Sequence, residues 1–233
     1  MQRKWLRKAV PAPGEIETLS QQINVNPSLT SVLLQRGIDN FDLAKKFFRP
    51  SLAELHSPFL LTDMAKAVSR LNTAIENHER ILIYGDYDVD GTTSVALVYS
   101  YLQSFYPLCD FYIPDRHTEG YGVSEVGIKW AEDNGFSLII ALDLGVKAID
   151  AVTLATEKKI DFIICDHHLP GTDIPNAIAV LDPKRSDCDY PFKELSGCGL
   201  GFKLMQAYAQ SYRKEEELNE YLDLVAVSIA SDI

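Results

Sequence analysis

Ile81-Leu82-Ile83-Tyr84-Gly85-Asp86-Tyr87-Asp88-Val89-Asp90-Gly91 decides how this chain is read. An apolar run passes directly into three carboxylates within five positions, and glycines bracket them. The run reads as a buried strand, and the glycines permit a sharp turn at its end. Open α/β sheets place ligands in the crevice just past the carboxyl ends of their strands. Carboxylates so close repel one another unless cations compensate. If the segment stays extended, Asp88 and Asp90 point to one face. An Asp-rich turn that caps the next helix is the competing reading, and spacing alone leaves both open.

The same pattern repeats outward from that stretch. Strands are expected at Ile81–Tyr84, Cys109–Ile113, Leu138–Leu142, Ile160–Cys165 and Ala177–Leu181. Helices are expected between them, at about 93–104, 124–134 and 147–158. Two more, at about 200–212 and 216–230, finish the chain. Unbroken runs such as Leu138-Ile139-Ile140-Ala141-Leu142 suit strands covered on both faces. The alternation predicts an α/β domain over residues 81–233, with a mainly parallel, doubly wound sheet. Residues 1–80 read as a helical arm or cap. Pro27-Ser28 opens one helix that Gly37 closes, and Asp39 caps the next. Thr62 caps a third, whose Met64, Ala67, Val68, Leu71 and Ile75 recur at helical spacing.

Composition narrows the class. The 233 residues are 46% hydrophobic and 24% charged, as in ordinary globular domains. No apolar run reaches the length of a membrane span. The basic start, Met1 to Lys8, lacks the apolar stretch of a secretion signal. Cys109, Cys165, Cys188 and Cys198 have no zinc-type spacing and read as buried thiols, so a cytoplasmic setting is expected. The net charge of −11 has the wrong sign for a simple nucleic-acid glove. It is also uneven: residues 1–80 carry 11 Lys+Arg and 8 Asp+Glu, residues 81–233 carry 11 and 25. Bound metal would offset part of that acidity.

Other stretches carry candidate chemistry. Asp143 follows the third apolar run, where a plain helix cap is an equal alternative. Asp166-His167-His168 follows the fourth. Neutral imidazole is a good metal ligand, and an adjacent carboxylate can orient it. Carboxylate and imidazole together suit a pair of divalent cations working on a phosphate ester. Arg116, before Gly120-Tyr121-Gly122, offers bidentate phosphate recognition, with a surface ion pair as its alternative. Ser196-Gly197-Cys198-Gly199 precedes a helix, so the amides of Gly197 and Gly199 are candidates for holding phosphate. Asp232 follows an apolar helical stretch and says nothing alone.

The set resembles the DHH phosphoesterases, and within them the bacterial RecJ branch of single-stranded-DNA exonucleases. The resemblance covers about residues 50–233. It rests on Gly85 to Gly91, Asp143-Leu144-Gly145, Asp166-His167-His168 and Ala230-Ser231-Asp232, in that order. Arg116 with Gly120-Tyr121-Gly122, and Asp182-Pro183 with Gly197-Cys198-Gly199, also look like segments of that branch. The resemblance implies two ions, Mn²⁺ or Mg²⁺. Asp88 would hold one and Asp90 the other, with Asp143 bridging and His167 and Asp232 completing the set. His168 would face the scissile phosphate, Asp166 would support from behind with Asp86 beside it, and Arg116 would grip a phosphate oxygen. The implied reaction is two-metal phosphodiester hydrolysis, a 5′-to-3′ exonuclease on single-stranded DNA in repair and recombination. A single-strand-binding protein and a helicase are the implied partners. Some members place a ligating histidine where Tyr84 stands here. The branch also continues into further domains, so the chain reads as a weakly active N-terminal fragment.

Three rival readings are weighed against this one. Asp88-Val89-Asp90-Gly91-Thr92 matches the DxDGT signature of haloacid-dehalogenase-type phosphatases, with Asp88 as nucleophile, but that leaves Asp166-His167-His168 unexplained. A DHH enzyme for short oligonucleotides, cyclic dinucleotides or pyrophosphate would lack the Arg116 segment. A non-catalytic DHH replication scaffold would have shed its ligands, and here they are present.

Overall fold

The computed structural model describes residues 6–213 and 215–232. By compactness the chain divides into two units, Met1–His56 and Ser57–Ile233.

The first unit holds three short helices: α1 (Pro13–Ile23), α2 (Pro27–Gln35) and α3 (Phe41–Phe48). α2 and α3 start where asparagine side chains accept a backbone amide, Asn26 from Ser28 and Asn40 from Leu43. Asn40 therefore takes the role expected of Asp39. α1 went unread because Ala12 stands at its cap; Glu15 reaches back to the Ala12 amide instead. Among the described residues of this unit, Leu19, Leu33 and Ala44 are the buried apolar ones.

The second unit is built on five parallel strands: β1 (Arg80–Gly85), β2 (Cys109–Tyr112), β3 (Phe136–Leu142), β4 (Asp161–Cys165) and β5 (Ala179–Leu181). Their order is β2-β1-β3-β4-β5, and every pair is parallel. The crossovers are α5 (Val89–Gln103), α6 (Glu125–Asp133) and α7 (Ile149–Glu157). Alternate side chains of each strand enter opposite cores. Ile81, Ile83, Leu138, Ile140 and Ile163 pack with α4 (Met64–Glu76), α5 and α8 (Gly197–Tyr212). Leu82, Tyr84, Ile139, Ala141, Phe162 and Ile164 pack with α6 and α7. This burial on both faces is what the continuous apolar runs encode. The four cysteines are buried, as read.

α4 buries Met64, Ala67, Val68 and Leu71 in the same core as β1. The division expected after residue 80 thus falls inside the sheet-bearing unit. Asp63, not Thr62, stands at the N-cap of α4, in left-handed backbone (φ 66°). Arg185 fixes it there. Its guanidinium meets Asp63 at 2.8 Å, the Val180 carbonyl at 2.6 Å and Asp187 at 2.7 and 2.9 Å. The last expected helix is divided, into a 3₁₀ stretch (Glu215–Tyr221) and α9 (Leu222–Ser231). Among the described residues no helix is long and apolar enough to cross a membrane.

The strand order decides where a ligand goes. From β1 the chain steps outward to β2, then returns to place β3 on the other side of β1. The crevice of such a sheet opens at that reversal, beyond the carboxyl ends of β1 and β3. Asp86, Asp88 and Asp90 follow β1, and Asp143 follows β3.

Candidate metal centre

The turn after β1 caps a helix and faces a cavity. Asp88 is the N-cap of α5, its Oδ1 accepting from the Gly91 amide at 2.9 Å. It also lines a cavity of about 300 Å³ with Asp90, Asp143, His167 and Asp232. The stretch does not stay extended, so the condition for Asp88 and Asp90 to share a face by strand alternation is not met. The helix begins at Val89, four residues before Thr93, and Asp90 lies in its buried first turn. Gly91 is required for steric reasons: a Cβ there would stand 2.5 Å from the Asp86 carbonyl oxygen.

Asp90 binds across the fold. Its Oδ2 accepts from the Gly197 amide at 2.6 Å, and its Oδ1 from the Cys198 amide at 2.8 Å and the Ser228 hydroxyl at 2.6 Å. One carboxylate therefore joins α5 to the start of α8 and to α9, an arrangement favoured by the positive end of the α8 dipole.

Asp143 leaves β3 in left-handed backbone (φ 62°), a conformation non-glycine residues seldom adopt. A Cβ on Gly197 would come within 2.5 Å of the Asp143 Cβ. Asp143 Oδ1 lies 3.1 Å from His167 Nε2, yet without the alignment of a hydrogen bond, so this buried oxygen lacks a proper partner. His167 Nε2 is also 3.6 Å from Asp90 Oδ2, and its Nδ1 is 3.6 Å from Asp232 Oδ2. Among the described residues three overlapping groups result: Asp86–Asp88–Asp143, Asp143–His167–His168 and Asp90–His167–Asp232. In each, the donor atoms lie within 4.8 Å of one another.

The electrostatics show a site short of positive charge. Burial, reinforced by Asp90 and Asp88, outweighs the contact with His167 and pushes Asp143 up to about 7. Burial pushes Asp86 up as well, with Asp88 adding to it. Burial opposes the charged form of His167, but Asp143, Asp232 and Asp90 override it and raise the imidazole to about 9. The cluster holds a proton because its carboxylates outnumber its cations. A divalent ion would satisfy the orphaned Asp143 oxygen and the mutual repulsion together, and carboxylates with an imidazole are donors that suit Mn²⁺ or Mg²⁺.

Residues 80–229 match the model of the DHH family, N-terminal domain. The chain belongs to the DHH family. It is 40% identical to the single-stranded-DNA-specific exonuclease RecJ of Bacillus subtilis, over 96% of this chain and 28% of that protein. A crystal structure of exonuclease RecJ bound to manganese covers 74% of this chain and 44% of its own, with TM-score 0.65 and 29% identity. RecJ of Thermus thermophilus in complex with Mn²⁺ matches 96% of this chain and 31% of its own, with TM-score 0.74; at 24% identity it speaks for the fold. The chain thus spans less than a third of the length of the Bacillus relative. The family also sets aside the phosphatase reading of Asp88.

Within the DHH triplet the three residues divide the work. His167 points into the carboxylate cluster. Asp166 is buried, and its Oδ2 accepts from the Val146 amide at 2.8 Å while its Oδ1 lies 2.7 Å from His168 Nδ1. Burial works against the Asp166 carboxylate, but His168 and the Val146 amide hold its pKa below the ordinary value. His168 is half-exposed at the cavity edge.

One expectation needs correction. Gly197 and Gly199 do not offer amides to a substrate: the first amide is taken by Asp90 and the second by the Ser196 hydroxyl, and both residues are buried. A helix start is anion-seeking, and here the anion is a carboxylate from another part of the chain. Arg116 does not line the cavity; its guanidinium lies over the Tyr87 ring, 4.7 Å from the centroid, at the margin of the site. Tyr84, standing where some DHH proteins carry a ligand, points into the opposite core, toward Ser124 and Gly122. Sequence reading missed Ser228 and Tyr121. Ser228 left no signal, being one small residue in an apolar helix; Tyr121 was quoted only as part of a turn.

Proposed function

We propose that this chain carries the metal centre of a 5′-to-3′ exonuclease for single-stranded DNA, acting in the cytoplasm in repair and recombination. A single-strand-binding protein and a helicase would be its partners. The observation that supports this best is the convergence, past the ends of β1, β3 and β4, of Asp86, Asp88, Asp90, Asp143 and His167 around an orphaned buried oxygen. DNA as substrate, and the polarity, rest on likeness to the RecJ relatives.

Asp88 and Asp143 would hold one ion, with Asp86 close by. Asp90, His167 and Asp232 would hold the other, with Asp143 shared. Bound there, divalent ions supply charge neutralisation at the phosphate and lower the pKa of water. The chain's own groups do the rest. Asp166 holds the Nδ1–H of His168 and favours the protonated ring, whose Nε2–H can donate toward a phosphate oxygen. Arg116, lying over the Tyr87 ring, offers its fork to a neighbouring phosphate. Asp90 keeps the three helices in register, so the ligands stay in place as substrate comes and goes.

The test is Mn²⁺-dependent release of nucleotides from a 5′-labelled single strand, with Asp143→Ala as control. Loss of at least about 100-fold with the fold intact is expected, on the scale of removing one charge-stabilising group from an active site. Near wild-type activity in Asp143→Ala would falsify the bridging role.

A further inference from the structure

His168 is a wall between two cavities. One is the carboxylate cavity already described. The other, about 330 Å³, opens between Tyr121-Gly122-Val123 after β2, the Gly145–Ala148 turn after β3, and the first residues of α7. The reading above uses none of it. Its walls include Val123, Val146, Ile149 and Ala151, and Tyr121 lines it too, its side chain exposed. Asp166, Asp150 and Lys147 line it as well, so charges of both signs are present. Apolar walls with a few polar groups suit a flat ring that carries polar edges. The volume is at the small end for ligand pockets, which run from about 300 to 1,000 Å³, and fits one nucleoside rather than a base pair.

Tyr121 links the two cavities. Its hydroxyl lies 3.3 Å from His168 Nε2, while Asp166 holds the other ring nitrogen. Nε2 accepts from the tyrosine when the imidazole is neutral with Nδ1 protonated toward Asp166, and donates to it when the ring is protonated. The Tyr121 ring meets His168 edge to face at 6.0 Å, and Tyr87 at 6.5 Å; Arg116 in turn covers Tyr87. A continuous ledge, Arg116–Tyr87–Tyr121–His168, borders the site.

We propose that this second cavity receives the sugar and base of a nucleotide flanking the attacked phosphate, and that Tyr121 is the positioning residue joining that base to His168. The proposal rests on the nuclease reading for its choice of ligand. It adds a reason for single-strand selectivity: a paired base cannot enter a slot of this size.

The test uses the chain as it is, with single-stranded oligonucleotides that are intact or carry an abasic residue at the first or second position. Tyr121→Ala should raise KM about tenfold on intact strands, in line with loss of one base–aromatic stack. It should change KM less than about twofold on the abasic strand whose missing base belongs in the cavity. Tyr121→Phe keeps the ring and should hold KM while lowering kcat, a split that a folding defect would not give. Equal effects on all three strands would overturn the proposal. A binding arm keeps the outcome separate from the nuclease reading: 2-aminopurine at the first or second position, with Ca²⁺ in place of Mn²⁺. Quenching by the wild type that is lost in Tyr121→Ala supports the cavity, even if the wild type proves not to cut. Equal fluorescence in both proteins, at both positions, refutes it, even if the wild type cuts.

Discussion

Around Arg185 the guanidinium meets Asp63, Asp187 and the Val180 carbonyl, whereas around Asp143 four other carboxylates crowd a single buried imidazole. Both clusters are acidic, each centres on a buried side chain, Arg185 or Asp143, and both belong to the sheet-bearing unit. The first is answered from within the protein. In the second, a buried oxygen has no hydrogen-bond partner and a proton is held where a metal would fit. The first cluster is matched by cations of the chain itself; the second leaves carboxylate oxygens for a bound ion to answer, on the proposed reading.

Removing the partner in the closed cluster should cost most. Arg185→Ala leaves Asp63 with Lys66 as its remaining cation and takes a buried donor from the Val180 carbonyl, and should lower unfolding free energy by about 1–3 kcal/mol, the cost of leaving buried groups unsatisfied. Urea titration measures it, and a loss under about 1 kcal/mol, the level of an exposed pair, would make the two clusters alike. The open cluster should show a pH dependence opposite in sign to that of the closed one, where Asp63 and Asp187 are held below the ordinary carboxyl range and stability is lost only as pH falls. Asp143 is raised from 3.8 to about 7, so the folded chain binds protons that the unfolded chain releases, and stability falls as pH rises across that window. His167 is raised from 6.5 to about 9; its contribution is complete below 6.5 and is lost as pH rises through 9. Both have the same sign, so the melting temperature of metal-stripped protein should drop between about pH 5 and pH 9, and saturating Mn²⁺ should flatten the slope. A slope unchanged by Mn²⁺ would sever the link between acidity and metal.

Smaller effects sharpen the contrast. Asp166→Asn keeps the shape but unfixes the His168 tautomer, and should lower Mn²⁺-dependent cleavage about 10–100-fold, the usual range for outer partners of a metal site. Asp143→Asn should stabilise the metal-free chain by about 1 kcal/mol, since it relieves an uncompensated buried charge. The same variant should lose the thermal gain that Mn²⁺ gives the wild type. Destabilisation of the metal-free form would mean that Asp143 serves the fold after all.

What the sequence made legible followed from local physics. Both-face burial requires unbroken apolar runs, so β1, β3 and β4 announce themselves, and the acids that follow them mark the crevice. What stayed hidden was non-local. Gly197 and Gly199 read as phosphate holders because nothing near them reveals that Asp90, far back in the chain, occupies the α8 terminus. α4 read as part of an arm because helical spacing shows an apolar face without showing what it meets. Asp88 read as either cap or ligand, but its carboxylate has lone pairs enough for both.

The bond from Ser228 to Asp90 spans 138 residues. At ribosomal rates of about 5–20 residues per second, Asp90 waits on the order of ten seconds before that partner is made. The sheet can form during this interval, but the pocket at its edge cannot close until the segment bearing Ser228 and Asp232 emerges. On the proposed reading, a nascent chain would lack its full set of metal-binding groups until Asp232 had been synthesised, so the order of its residues would set when the site is complete.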